Sequence, residues 1–196
     1  YPSPESINIK GTGGASTSRI VFDVKDASGE PVIDGYRVNL SILDGPDGGE
    51  KLEPTSATTL NGQVQTTLRS GTKSGPVSVK AAYAENSNVS TTTSRITINS
   101  GPPVGEEFGI FAQYLNVSGL DRANLEDQIG VNVGDIYGNS VPDGTAVSFK
   151  TYNTGGFFAS NSATTEGGLA SDTLVSGGTM ASPTEGFLTV TAEANN

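Results

Sequence analysis

Carboxylates are the commonest ionisable side chains in this sequence: 21 Asp and Glu stand against 11 Lys and Arg, for a formal charge of −10, and Cys and His are absent. Without thiolate or imidazole there is no zinc site of that kind, no Ser-His or Cys-His nucleophilic pair, no disulfide and no redox couple. Hydrolysis would fall to carboxylates alone, two of them set roughly 5–10 Å apart in a cleft. An acidic chain also repels phosphate backbones, because nucleic-acid affinity comes largely from Lys and Arg displacing counterions. No nucleic-acid partner is expected.

The carboxylates fall into two kinds of setting. In Asp44-Gly45-Pro46-Asp47-Gly48-Gly49-Glu50, three acids lie within seven residues among flexible glycines, and calcium takes such hard oxygen ligands. Asp44, Asp47 and Glu50 are therefore the candidate calcium ligands, although the twelve-residue spacing of a full calcium loop is missing and a solvated acidic loop is the plainer reading. No other cofactor is indicated. Asp121, Glu126 and Asp127 form a second acidic group, and Glu106 and Glu107 a third, both read first as solvated faces. The other setting is a turn. Asp26 stands three residues before Gly29 and Asp135 three before Gly138, while Asp34-Gly35 and Asp143-Gly144 are adjacent. An Asp that accepts backbone N–H bonds next to a Gly with positive φ closes one strand and opens the next. These aspartates read as backbone-bending residues, and the chain is expected to be non-catalytic.

Aromatic rings supply the remaining contact chemistry, since an exposed ring can stack on a sugar or anchor a protein partner. Tyr36, Tyr137 and Phe158 are the candidate contact residues, provided that they lie together. Phe157 and Phe158 are neighbours, so in a strand they face opposite sides and one of them enters the core.

The elements that must hold these groups are β-strands. Gly (26) and Pro (10) are numerous in the 196 residues, no segment has helical spacing, and turn dipeptides recur at intervals of roughly 8–12 residues. Ile20, Phe22 and Val24 alternate with polar residues, as do Val38, Leu40 and Ile42, then Val64 and Leu68, Val77, Val79 and Ala81, and Ile96 and Ile98. A sheet with one apolar face must cover it with another. Asn61-Gly62 is a hairpin signal, because a type I′ turn needs positive φ twice. No run approaches the ~18–20 apolar residues that cross a bilayer, so no membrane insertion is expected, and the start at Tyr1 without an initiator Met reads as a mature or excised piece.

Internal repetition organises these strands. DASGEPVIDGYRVNL from Asp26 aligns with DIYGNSVPDGTAVSF from Asp135, 109 residues later, with both Asp-Gly turns in register and Leu40 against Phe149. TTLNGQVQTTLRSG from Thr58 aligns with TTEGGLASDTLVSG from Thr164, and GPVSVKAA from Gly75 with GFLTVTAE from Gly186. Two copies of one sandwich unit follow: residues 1–100, a Pro/Gly linker at 101–107 whose consecutive prolines make it semi-rigid, and residues 108–196. The first copy continues to a terminal strand at Arg95–Asn99, whereas the second ends at Asn196, soon after the match to Ala81, and is expected to lack its last strand. Asn116–Gln128 has no counterpart of equal length and is expected to be a surface loop or a short helical turn.

The succession Asp-x-x-Gly-x-Pro-Val-x-x-Gly-x-x-Val-x-Leu at Asp26–Leu40, the Asn-Gly block, and Gly-x-Val-x-Val-x-Ala at Gly75–Ala81 resemble the bacterial immunoglobulin-like (Big-1 type) domains of the invasin/intimin family of surface proteins. The second copy departs from the pattern: its Pro142 sits one place after the aligned Val141 instead of before it, and Gly167-Gly168 replaces Asn-Gly. The resemblance implies an all-β chain of two tandem immunoglobulin-like β-sandwich domains, exported to the bacterial cell surface and attached to the outer membrane, with the periplasm as the other compartment. It implies a structural stalk module of an adhesin whose partners are neighbouring domains of the same chain and a host or cell-surface protein or glycan. A glycan- or protein-binding module, or an accessory domain of a larger extracellular enzyme, is the alternative.

Overall fold

The computed structural model describes residues 1–119, 122–152, 155–177 and 187–194. It contains strands and one short 3-10 turn, Gly105–Glu107, with no α-helix among the described residues. The chain divides into two compact units, Tyr1–Ser100 and Gly101–Asn196. Residues 101–107 thus group with the second unit, for a reason visible in their hydrogen bonds. The N–H of Val104 donates to the carbonyl of Gly134, and the N–H of Gly134 donates to the carbonyl of Glu107.

In unit 1 the strands are β1 (Pro2–Ser3), β2 (Ser6–Asn8), β3 (Thr17–Asp23), β4 (Arg37–Asp44), β5 (Lys51–Glu53), β6 (Ser56–Thr58), β7 (Gln63–Arg69), β8 (Gly75–Tyr83), β9 (Ser90–Thr92) and β10 (Ile96–Asn99). One sheet has the order β1-β3-β7-β5, and the other runs β2-β10-β8-β4-β6 with β9 also paired to β8. The alternation read from the sequence sets which face is inward: Ile20, Phe22, Val38, Leu40, Val64, Leu68, Val77, Val79, Ile96 and Ile98 are all buried in one cluster, with Val24 and Ile42 at its margin.

Unit 2 repeats this plan with β11 (Phe108–Ala112), β12 (Ala123–Val133), β13 (Ala146–Tyr152), β14 (Phe157–Phe158), β15 (Ser162–Thr164), β16 (Leu169–Gly177) and β17 (Thr189–Ala194). Its sheets are β11-β12-β16-β14 and β15-β13-β17, which match β1-β3-β7-β5 and β6-β4-β8 strand for strand. Ile129, Val131, Val133, Val147, Phe149, Phe158 and Leu174 form its core. Among the described residues no strand pairs β17 on the side away from β13, the side on which β8 carries β9 and β10. Gly186, the first residue of the third repeated block, lies outside the described residues.

The segment Asn116–Gln128 differs from the expected loop or helical turn. From Ala123 onward it is strand, pairing β16 from Ala123↔Gly177, with a register shift between Ala123 and Glu126. The extra residue of that irregularity interrupts the two-residue alternation, which is why the sequence pattern does not announce the strand. Residues 120–121, including Asp121, lie outside the described residues.

The two repeated sequence blocks recur together because each holds the other. In unit 1 the Thr59 hydroxyl accepts the Tyr36 N–H and donates to the Ile33 carbonyl, while Asp34 Oδ1 accepts the Asn61 N–H at 2.6 Å. In unit 2 the Thr165 hydroxyl accepts the Thr145 N–H and donates to the Pro142 carbonyl, while Asp143 Oδ1 accepts the Gly167 N–H at 2.7 Å. Asn61 and Gly62 have φ of 50° and 72°, and Gly167 and Gly168 have 58° and 81°, the double positive φ of the expected hairpin turn.

Candidate functional site

The repeated aspartates are spent on their own backbone. Asp26 is exposed, and its Oδ1 accepts the Ser28 N–H, the Ser28 hydroxyl and the Glu30 N–H. The Ser28 hydroxyl bond, followed by these two N–H bonds, holds its carboxyl below the usual Asp range, because each favours the charged form. Its repeat counterpart Asp135 forms the same turn but is 0% exposed. Asp135 Oδ1 accepts the N–H of Tyr137 and of Asn139, and Oδ2 accepts the Gly101 N–H at 2.8 Å. Asn139 Nδ2 donates to both oxygens. A buried carboxylate is tolerable only with such a full set of donors.

Two more acids turn out to be structural. Asp127, read from the sequence as part of a solvated acidic group, is buried and accepts the Tyr114 N–H. Asp172 is buried and takes the N–H groups of Ser160 and Asn161. The signal for both was missed because an inward acid on an alternating strand looks the same as an outward one until its donors are known.

The Asp44–Glu50 loop borders an open hollow of about 420 Å³ lined by Asp44, Asp47 and Glu50. Glu50 turns back onto the loop, Oε1 accepting the Asp47 N–H and Oε2 the Gly48 N–H. Among the described residues no three Asp or Glu side chains are grouped so as to hold a metal ion.

Of the three candidate aromatic contacts, one is not at the surface. Phe158 is 3% exposed and packs against Phe149 with ring centroids 5.3 Å apart, so it is a core residue and not a contact residue. Phe157, its neighbour on the opposite face, is the exposed one at 54%. Tyr137 is exposed at the Asp135 turn of unit 2. Tyr36 belongs to unit 1, where its ring meets Tyr83 edge-on at 5.8 Å. The Tyr83 hydroxyl donates to Glu85 at 2.8 Å, and that bond to a carboxylate, together with desolvation, pushes the phenol above its ordinary value.

Tyr36 and Tyr83 wall the feature that sequence reasoning missed, an apolar groove of about 310 Å³ in unit 1 between the end of β3, the start of β4 and the β8–β9 pair. Val24, Val32, Val38 and Val89 also line it. It is visible only in three dimensions, because its walls come from four separate stretches of chain.

Comparison with known proteins adds the fold. No family model and no curated protein matches the chain. Among solved structures, InvD of Yersinia pseudotuberculosis is similar over 98% of this chain and 51% of its own, with 18% identity and a TM-score of 0.60. The Escherichia coli adhesin FdeC is similar over 91% of this chain and 55% of its own, with 17% identity and a TM-score of 0.55. The fold is that of immunoglobulin-like adhesin domains. The D0-D1 domains of intimin are also similar, at 20% identity and a TM-score of 0.43. The chain spans about half the length of InvD and FdeC. Among the described residues, no helix is long and apolar enough to cross a membrane.

Proposed function

We propose that the chain is a non-catalytic, load-bearing module of a bacterial cell-surface adhesin, a length of stalk that holds a binding tip away from the cell. Its partners on this reading are further immunoglobulin-like modules of the same polypeptide, with weaker contacts to a host or cell-surface protein or glycan. The fold shared with FdeC supports the adhesin part. The acids read from the sequence support the non-catalytic part, because Asp26, Asp34, Asp135 and Asp143 serve as acceptors for their own turns and hairpins.

The load-bearing part rests on one observation. Near the start of unit 1, β2 pairs in parallel with β10 near its end, through Ser6↔Thr97, Ile7↔Ile98 and Asn8↔Asn99. Tension applied to the two ends pulls these strands along each other, so the ladder is loaded together in shear and cannot unzip one bond at a time. Two inter-strand bonds flank it, Thr97 N–H to Glu5 O at 2.9 Å and Ile9 N–H to Asn99 O at 3.0 Å.

The test is to stretch the full chain from its ends in a single-molecule trap. Unit 1 should open in one sharp event, and Thr97→Pro, which removes the donor to Glu5 while leaving the β8 side of the strand intact, should lower the opening force markedly. Thermal melts of the same variant check that it is folded. An intact chain that opens gradually, or at the same force as the folded variant, would refute the load-bearing role.

A further inference from the structure

Because the two units follow one plan, each serves as a reference for the other, and they differ at one end of the first sheet. In unit 2, β11 pairs along β12 over five residues, from Phe108↔Val133 to Ala112↔Ile129. In unit 1, β1 pairs β3 over Pro2↔Ile20 and Ser3↔Arg19, and Tyr1 extends this by exchanging backbone bonds with Val21. Tyr1 therefore stands where Phe111 stands opposite Gly130 in unit 2. Beyond it, among the described residues, no strand pairs the outer edge of Asp23. The alternation of an antiparallel ladder turns the Asp23 N–H and C=O to that edge, where the matching Asn132 is paired with Gly109.

The side chains record the same difference. Val133 and Val141 are 0% and 2% exposed, with Phe108 packed against their cluster. Their counterparts Val24 and Val32 are only half-buried and line the open groove beside Tyr36 and Tyr83. The third marker is the carboxylate pair. Asp135 Oδ2 holds the N–H of Gly101, ten residues before Phe111, whereas Asp26 makes its turn bonds through Oδ1 alone. A backbone edge, an apolar groove and a carboxylate oxygen are thus presented in unit 1 in the places that residues 101–110 fill in unit 2.

We propose that this groove takes an extended strand joined to the amino group of Tyr1, running antiparallel to β3 and placing a bulky apolar side chain, three residues before Tyr1, over Val24 and Val32. The segment leading into that strand, turning as Gly105–Glu107 does in unit 2, brings a backbone N–H ten residues before Tyr1 to Asp26 Oδ2. The occupant enters as β-strand addition, with main-chain bonds giving affinity and the groove giving specificity. Attachment to Tyr1 removes most of the ordering cost that a separate peptide would carry. The inference is independent of the load-bearing role, since it concerns what the edge of β3 accepts and not how unit 1 responds to force.

The experiment grafts the sequence of residues 101–110, GPPVGEEFGI, onto the amino end of the full chain. Controls are a Gly/Ser extension of equal length and the same graft with serine in place of its phenylalanine. The intact graft should raise the unit 1 melting temperature by about 5–15 °C over the Gly/Ser control, and slow hydrogen exchange at the Asp23 amide at least tenfold. The serine graft should lose most of both effects. Equal melting temperatures for the graft and the Gly/Ser control, or an equal gain with serine, would overturn the proposal. So would saturable binding of the free ten-residue peptide to the ungrafted chain with no gain from the covalent graft, which would assign the groove to a separate polypeptide.

Discussion

Asp135→Ala is the sharpest test of the claim that the repeated aspartates are latches and not reactive groups. The carboxylate is fully buried and receives the N–H groups of Gly101, Tyr137 and Asn139 and the amide of Asn139. Alanine leaves the buried Gly101 N–H without its acceptor, at about 1–3 kcal/mol, and forfeits charge-assisted bonds to the turn, while removing the cost of burying a charge. The net loss expected is about 3 kcal/mol. With a urea dependence of about 1 kcal/mol/M for a unit of this size, the unit 2 midpoint should fall by roughly 3 M. Hydrogen exchange read by mass spectrometry along a urea series follows each unit within the intact chain, using peptides around Phe149 for unit 2 and Leu40 for unit 1. Asp26→Ala, by contrast, exposes its turn donors to water and should shift unit 1 far less. A loss below about 1 kcal/mol for Asp135→Ala, or equal shifts for the two substitutions, would refute the reasoning.

Phe158→Ala should cost about 3–5 kcal/mol and Phe157→Ala less than about 1 kcal/mol, a contrast that calorimetry reads directly and that similar losses would contradict. Gly62→Ala places a Cβ 2.6 Å from the Pro31 Cβ at a φ of 72°, so it should destabilise unit 1 by more than about 1 kcal/mol in thermal melts. Because hydrogen bonds lower the folded pKa of Asp26, its contribution is fully present above the unfolded Asp value of about 4 and is lost as the pH falls through the folded value. An NMR titration should find its midpoint below the ordinary Asp value of about 4. Since Glu50 is already bonded to two loop N–H groups, neither calcium nor EDTA should move the melting temperature, and a calcium-dependent rise of several degrees would contradict this and identify Asp44, Asp47 and Glu50 as ligands.

Most of the architecture was legible because period-two alternation and turn chemistry are local. Val38 and Leu40 had to face one way, and Asn61-Gly62 had to turn. The pairing of blocks was legible for a less obvious reason: Thr59 and Asp34 bond across 23 to 27 residues, so their recurrence as Thr165 and Asp143 marks a shared contact. What was hidden depends on cover supplied from elsewhere in the chain. Phe157 and Phe158 are equivalent in sequence, and only the phase of β14 against β16, Phe158↔Leu174, sends the second one inward. The groove was hidden too, because Val24, Tyr36, Tyr83 and Val89 meet only after folding.

The two oxygens of one carboxylate explain why the Asp turn recurs even though its burial does not. Oδ1 performs the local task in both units, taking the N–H groups two and four residues ahead, and this suffices to form the turn in water or out of it. Oδ2 performs a second, longer-range task in unit 2, where the Gly101 N–H meets it. A residue chosen only for the turn could be Asn, whose single carbonyl oxygen also accepts local N–H bonds. Asp keeps the second oxygen as an acceptor as well, so one turn can also anchor a segment that crosses it. Unit 1 carries Asp and not Asn at that position, although its Oδ2 is not needed to form the turn, which is the pattern expected of a unit able to accept the same crossing segment.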